Sequence, residues 1–100
     1  MVIWTLSAKQ DLRQIYNFIA SDSVHYAKKV TDDIYAKPNT LDLLPRLGRI
    51  VPEINDETLR EISVYSYRII YQIHQKNIYV LTIIHRRRDL KIDDLGKINT

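Results

Sequence analysis

The run from Leu59 to Leu90, LREISVYSYRIIYQIHQKNIYVLTIIHRRRDL, restricts this chain more than any other: three apolar, strand-like segments end in a block of positive charge. Tyr65, Tyr67, Tyr71 and Tyr79 alternate there with Ile, Val and Arg, and aromatic and β-branched side chains suit a pleated, half-buried surface. The spacing predicts an antiparallel meander with strands over Leu59–Val64, Tyr67–His74 and Ile78–Ile84. Ser66 marks the first turn, and Gln75, Lys76 and Asn77 form a tight hairpin in which Asn77 takes the positive φ. Ile62 and Val64 share one face of the first strand, opposite Glu61 and Ser63. On the second strand Tyr67, Ile69, Tyr71 and Ile73 make the better core face, which puts Arg68, Ile70, Gln72 and His74 on the open face. The third strand is almost wholly apolar and suits the middle of a sheet.

What precedes the meander reads as a strand and two helices. Val2–Leu6 is a short apolar strand holding the only Trp, Trp4. Ser7 followed by Gln10 has capping-box spacing, and Asp11 in the first turn suits the positive end of a helix dipole. Leu12, Ile15, Tyr16 and Ile19 then recur at helical spacing to a helix end near Ala20. After a polar break at Ser21–Ser23, in which Asp22 or Ser23 can cap, Ala27, Val30, Ile34, Leu41 and Leu44 form a second stripe. Pro38 lies inside it and is expected to kink or interrupt the helix near Lys37, with Leu41 and Leu44 staying in phase as core residues. Pro45, Gly48 and Pro52 punctuate a connection, extended through Thr58, that reads as loop, with Arg46 and Arg49 as ordinary loop charges. The polar tail KIDDLGKINT offers at most one helical turn. The fold class expected is α+β, in the order β-α-α-β-β-β, with a helical hairpin packed on a small, mainly antiparallel sheet.

One hundred residues suit one domain spanning 1–100. The absence of cysteine fits a reducing compartment. With neither a leader pattern nor an apolar run near the ~20 residues of a spanning helix, the expected location is the cytoplasm, with no membrane partner. A net charge of +3 is too small to diagnose a nucleic-acid binder, so the distribution of charge carries more weight. Arg60, Arg68, Arg86, Arg87 and Arg88 all fall in the meander region. His25, His74 and His85 lack ligand spacing and a cysteine partner, so neither a metal nor a cofactor is expected.

In order and spacing, four pieces together resemble the RelE/ParE toxins of bacterial type II toxin-antitoxin modules. They are the opening VIWTLSAKQDLRQIYNFIASDS, the Leu-Pro and Gly-Arg connection at Leu44–Arg49, the strand LREISVYSYRIIYQI and the ending VLTIIHRRRDL, which together cover Val2 to Leu90. The resemblance implies the fold above and a toxin neutralised, in a hetero-oligomer, by a cognate antitoxin that wraps it. Function divides within this superfamily: RelE-like members are ribosome-dependent mRNA endonucleases, whereas ParE-like members poison DNA gyrase without an identified catalytic constellation.

Cleavage by 2′-hydroxyl attack requires a proton acceptor, a proton donor and cations for the developing phosphate charge, and arginine supplies only the last. Arg68 and Arg86 match the arginines of RelE-like toxins. The lysines of the preceding strand are replaced by Leu59, Arg60 and Glu61, and the tail offers Lys91, Ile92 and Asp93 rather than tyrosine. The ending His85-Arg86-Arg87-Arg88-Asp89-Leu90 instead looks like the His-Gly-Arg-Arg-Asp-Leu of many ParE-like proteins, with Arg86 where glycine is common. The expectation is a ParE-like toxin contacting gyrase through Arg60, Arg68, Arg86, Arg87 and Arg88. The alternative is a RelE-like ribonuclease acting at the ribosome through Arg68, His85 and Arg86, with His85 the one nearby proton-transfer group. A non-toxic interaction module is the third reading. Each residue also has a plainer role open to it: a solvated strand end for the arginine run, a hydrogen-bonded structural residue for His85, and core packing for the tyrosines.

Overall fold

A computed structural model describes residues 1–95. Its elements are β1 (Val2–Trp4), α1 (Leu6–Ala20), α2 (Val24–Ala36), a 3-10 helix (Lys37–Asp42), β2 (Arg49–Ile50), β3 (Leu59–Val64), β4 (Tyr67–His74), β5 (Asn77–His85) and a last 3-10 turn (Ile92–Leu95). The strands form one mixed sheet in the order β1-β5-β4-β3-β2, with β1 parallel to β5 and the other pairs antiparallel. The nearly apolar β5 therefore lies inside the sheet, as its composition demands. Opposite Ile70 and Tyr71 on β4, the register passes from Thr82 to Val80, so Leu81 is the extra residue of a bulge.

Both faces of this sheet are covered. On one face Ile15, Val30, Ile34 and Leu41 pack on Ile62, Ile69, Tyr71, Val80 and Ile83. Trp4 ties β1 to α2, its ring centroid 5.1 Å from that of Tyr35. On the other face Val51, Leu59, Ile70, Leu81, Ile84 and Leu90 form a second, smaller cluster, joined by Ile54, Tyr79 and Leu95. The face expected to be open is thus closed by the segment after β2 and by the chain beyond β5. Ile70 is fully buried there.

Several sequence expectations change in detail. The cap of α1 is Thr5, not Ser7: its hydroxyl oxygen accepts from the Ala8 N–H and donates to the Val80 carbonyl at 2.9 Å. One buried side chain thereby ends β1, starts α1 and fastens both to β5. Strand β1 stops at Trp4, and Leu6 is instead an exposed helical residue. Asp11 lies in the second turn and serves the sheet rather than the dipole. Its Oδ2 accepts from Thr82 Oγ1 at 2.6 Å and from the Ile83 N–H at 3.0 Å. The Ile83 N–H lies past the end of β1, so the carboxylate takes the place of a missing strand partner.

Ser23 caps α2, accepting from the Tyr26 N–H at 3.1 Å. Pro38 does end α2, at the head of the 3-10 helix, where a missing N–H costs nothing. Leu41 is buried as expected, but Leu44 is 58% exposed. A 3-10 helix turns every 3.0 residues rather than 3.6, so the α-helical phase is lost across this segment. The expected loop contains a two-residue strand, β2, whose Arg49 and Ile50 pair with Glu61 and Arg60. Gln75, with φ 55°, makes the positive-φ turn position, and Asn77 is already in β5. Of the tail, Ile92–Leu95 forms the 3-10 turn, and 96–100 lies outside the described residues.

The connection before β2 is fixed by Gly48. Its N–H donates to the Tyr71 hydroxyl at 3.0 Å, and that hydroxyl donates to the Pro45 carbonyl at 2.7 Å. A Cβ at this position would lie 2.5 Å from the Glu61 carbonyl oxygen, so only glycine allows so close a backbone approach.

Candidate target-binding surface

The five arginines expected to meet a target divide into two sets. Arg68, on the face that is not open after all, is only 6% exposed. Its Nη1 and Nη2 each donate to Glu53 at 2.8 Å, a parallel fork, while Nη2 also donates to Glu61 Oε1 at 2.6 Å and Nε to the same oxygen at 3.2 Å. Nη1 further donates to the Arg88 carbonyl at 3.0 Å. Glu61, 3% exposed in its side chain, also accepts from Arg49 Nε at 3.1 Å. Arg60 points into the connection, with Nη1 donating to the Gly48 carbonyl at 2.9 Å and Nε to the Glu57 carbonyl at 3.0 Å. Arg46 pairs with Glu57. Arg49 and Arg46, read from sequence as ordinary loop charges, are both engaged.

Arg86, Arg87 and Arg88 are the exposed set. They do not continue the strand, because the Arg86 N–H donates to the Ser66 carbonyl at 2.8 Å and the Arg88 N–H to the His85 carbonyl at 2.9 Å, folding the block into a turn. Arg88 pairs with Asp94 in the last 3-10 turn. Arg86 and Arg87 form no ion pair among the described residues. His85 is exposed beside them, its Nδ1 accepting from the Arg87 N–H at 3.3 Å and its ring edge-on to Tyr67.

Sequence reasoning missed Glu53 as a partner, and it missed the pairing of Glu61 with Arg68. A signal for the second was present: Glu61 alternates in phase with the buried Leu59, so an inward charge required an opposite one. A two-residue turn at Tyr65–Ser66 sets Ser63 opposite Arg68 and so places Arg68 diagonal to Glu61. Glu53 comes from an irregular segment, and no spacing rule reaches it.

The Arg68 fork, helped by the Leu90 N–H, holds the Glu53 carboxyl at about 2, well below its ordinary 4.5. The same carboxylates push the Arg68 guanidinium further up. A carboxyl held low in the folded state adds stability that is complete above its unfolded value of 4.5 and is lost as pH falls through about 2. The expected result is a midpoint of denaturant unfolding that drops between those two values, more steeply in the native protein than in Glu53→Gln. Equal slopes in the two proteins would count against this pairing.

Away from these charges, Leu43, Leu44 and Leu47, each more than half exposed, line an open groove with Pro45 and Ile73. A second groove runs between α1 and α2 over Leu12, Tyr16 and Tyr35. Among the described residues no helix is long and apolar enough to cross a membrane, and no cluster of His, Asp or Glu has the makings of a metal site.

No curated protein matches this sequence. Among solved structures, one titled "Chromosomal ParDE TA system from P. aeruginosa" superposes with a TM-score of 0.71 at 22% identity, covering 84% of this chain and 92% of that one. It shares the arrangement of two helices on a five-stranded mixed sheet. A family model described as "ParE toxin of type II toxin-antitoxin system, parDE" matches residues 2–90. The chain belongs to that family, the ParE toxins of type II toxin-antitoxin systems.

Proposed function

We propose that this toxin acts by binding rather than by catalysis, presenting the Arg86–Arg88 turn to DNA gyrase, and that a cognate antitoxin neutralises it in a toxin-antitoxin hetero-oligomer in the cytoplasm. The observation that carries this reading is the state of Arg68. In a ribonuclease that side chain would hold the scissile phosphate, but here it is buried and already shared between two carboxylates. Releasing it would leave Glu53 and Glu61 without their cation, a large cost for the buried one. Without Arg68, proton transfer and phosphate binding rest on His85 and the Arg86–Arg88 turn, and no second proton-transfer side chain makes a hydrogen bond to His85 among the described residues.

The Arg86 and Arg87 side chains, with no ion pair among the described residues, suit an acidic patch or a phosphate backbone on the target. The exposed leucine groove and the groove between the helices suit an antitoxin segment that folds as it binds, giving it apolar anchor points. A pair of assays on one preparation tests the reading: supercoiling by gyrase, and primer extension on translated mRNA. Inhibited supercoiling with intact mRNA is the expected result. Codon-specific cleavage that is lost in His85→Gln, with supercoiling untouched, would assign the protein to ribosomal mRNA instead.

A further inference from the structure

The basic turn is held from behind. Glu53, in the segment between β2 and β3, reaches the chain beyond β5 at two points. Its Oε2 accepts from the Leu90 N–H at 2.7 Å, and through Arg68 it braces the Arg88 carbonyl, which accepts from Arg68 Nη1 at 3.0 Å. The Arg86 N–H is fixed to Ser66 and the Arg88 N–H to His85 on the other side. The backbone from Arg86 to Leu90 is thereby anchored along its length, while the Arg86 and Arg87 side chains remain exposed.

A buried ion network is a poor device for stability alone, since apolar side chains of similar volume commonly do as well, and its better-attested use is to impose one arrangement. Here the arrangement imposed is that of the turn carrying the exposed cations. We infer that Arg68 and Glu53 are positioning residues that clamp the Arg88–Leu90 backbone and so hold the Arg86–Arg88 turn ready for its target. Arg68 itself does not touch the target. A turn ordered in advance loses less freedom on binding and binds more tightly for the same contacts. This inference rests on the reading above that the turn is the contact surface, but the clamp can be observed without any target.

The test compares the full-length wild type with Glu53→Ala and Glu53→Gln, by amide hydrogen exchange and by titrated expression in growing cells. In Glu53→Ala the Leu90 amide is expected to lose roughly tenfold or more of its protection, as befits a lost hydrogen bond to a charged acceptor, while β4 amides keep theirs. Glu53→Gln, which keeps an acceptor oxygen, falls between. Growth-arresting potency is expected to drop roughly tenfold in Glu53→Ala, and the same change made on an Arg86→Ala/Arg87→Ala background is expected to add little, because both act through one turn. A merely structural role would lower potency equally on both backgrounds, and that outcome overturns the inference. So does undiminished Leu90 protection in Glu53→Ala. If the wild type arrests growth but leaves gyrase untouched, the target reading fails while the exchange and potency results still decide the clamp.

Discussion

Arg68→Met is expected to destabilise the protein by about 3–5 kcal/mol, the usual cost of removing one partner from a buried ion pair. That is a large part of the 5–15 kcal/mol by which a domain of this size is normally stable. The reason lies with the carboxylates left behind. Glu61 is 3% exposed in its side chain and, among the described residues, would retain only the Arg49 contact, from a side chain that is itself 70% exposed. Glu53 would lose its fork and keep the backbone N–H groups of Leu90 and of Glu53 itself. Methionine fills much of the volume of the lost side chain, so the effect reads the charge rather than a cavity. Arg68→Met combined with Glu61→Met is expected to recover most of the loss, because the uncompensated buried charge is then gone. Urea unfolding of the three proteins measures both numbers. A single variant within about 1 kcal/mol of wild type would show the network to be far more hydrated than its geometry implies.

Reversing the exposed charges is expected to act on function instead. Arg86→Glu with Arg87→Glu should leave the unfolding midpoint nearly unchanged, since both side chains are exposed and surface changes of this kind usually stay within about 0.5 kcal/mol each. Against an anionic target the same pair places like charges together, which costs several kcal/mol, and every 1.4 kcal/mol is about tenfold in affinity. A loss of growth-arresting potency of roughly a hundredfold or more is therefore expected, against a smaller loss for alanine at both positions. The two series are distinct in kind: Arg68 variants should lose stability along with the clamp on the turn, and the double reversal should fail with stability intact. Potency close to wild type in the folded double reversal would remove the turn from the contact surface.

The meander was legible because its signal is local: alternation of β-branched and aromatic residues sets Leu59–Val64 and Tyr67–His74 to the residue, and β5 to within one at each end. The helices were legible for the same reason, from stripes such as Ala27, Val30 and Ile34. What escaped was settled by partners distant in sequence. Thr5 outcompetes Ser7 as the cap because its hydroxyl also reaches β5. Strand β2 is too short to show any period. The second covering of the sheet depends on Val51 and Leu90 meeting across β5 and β4, and the state of Arg68 depends on Glu53 from an irregular stretch. For the candidate site this means the exposed turn at Arg86–Arg88 could be read from a run of like charges, whereas the buried arginine looked equally exposed on paper.

The parallel pairing of β1 with β5 has a consequence for the order in which a newly made chain can close. The Thr5 bond to Val80 spans 75 residues, so β1, the first strand of this sheet, must wait for the sheet's last strand to find its neighbour. At roughly 5–20 residues per second, that separation corresponds to several seconds on the ribosome. Throughout that interval α1 and α2, joined by three residues, can pack on each other, but the edge of β1 and the carboxylate of Asp11 have nothing to receive them. The basic turn is completed immediately after the strand that closes the sheet. Closure of this fold is in that sense late: β5, which joins β1 to the rest of the sheet, and the Arg86–Arg88 turn emerge together, after every other strand.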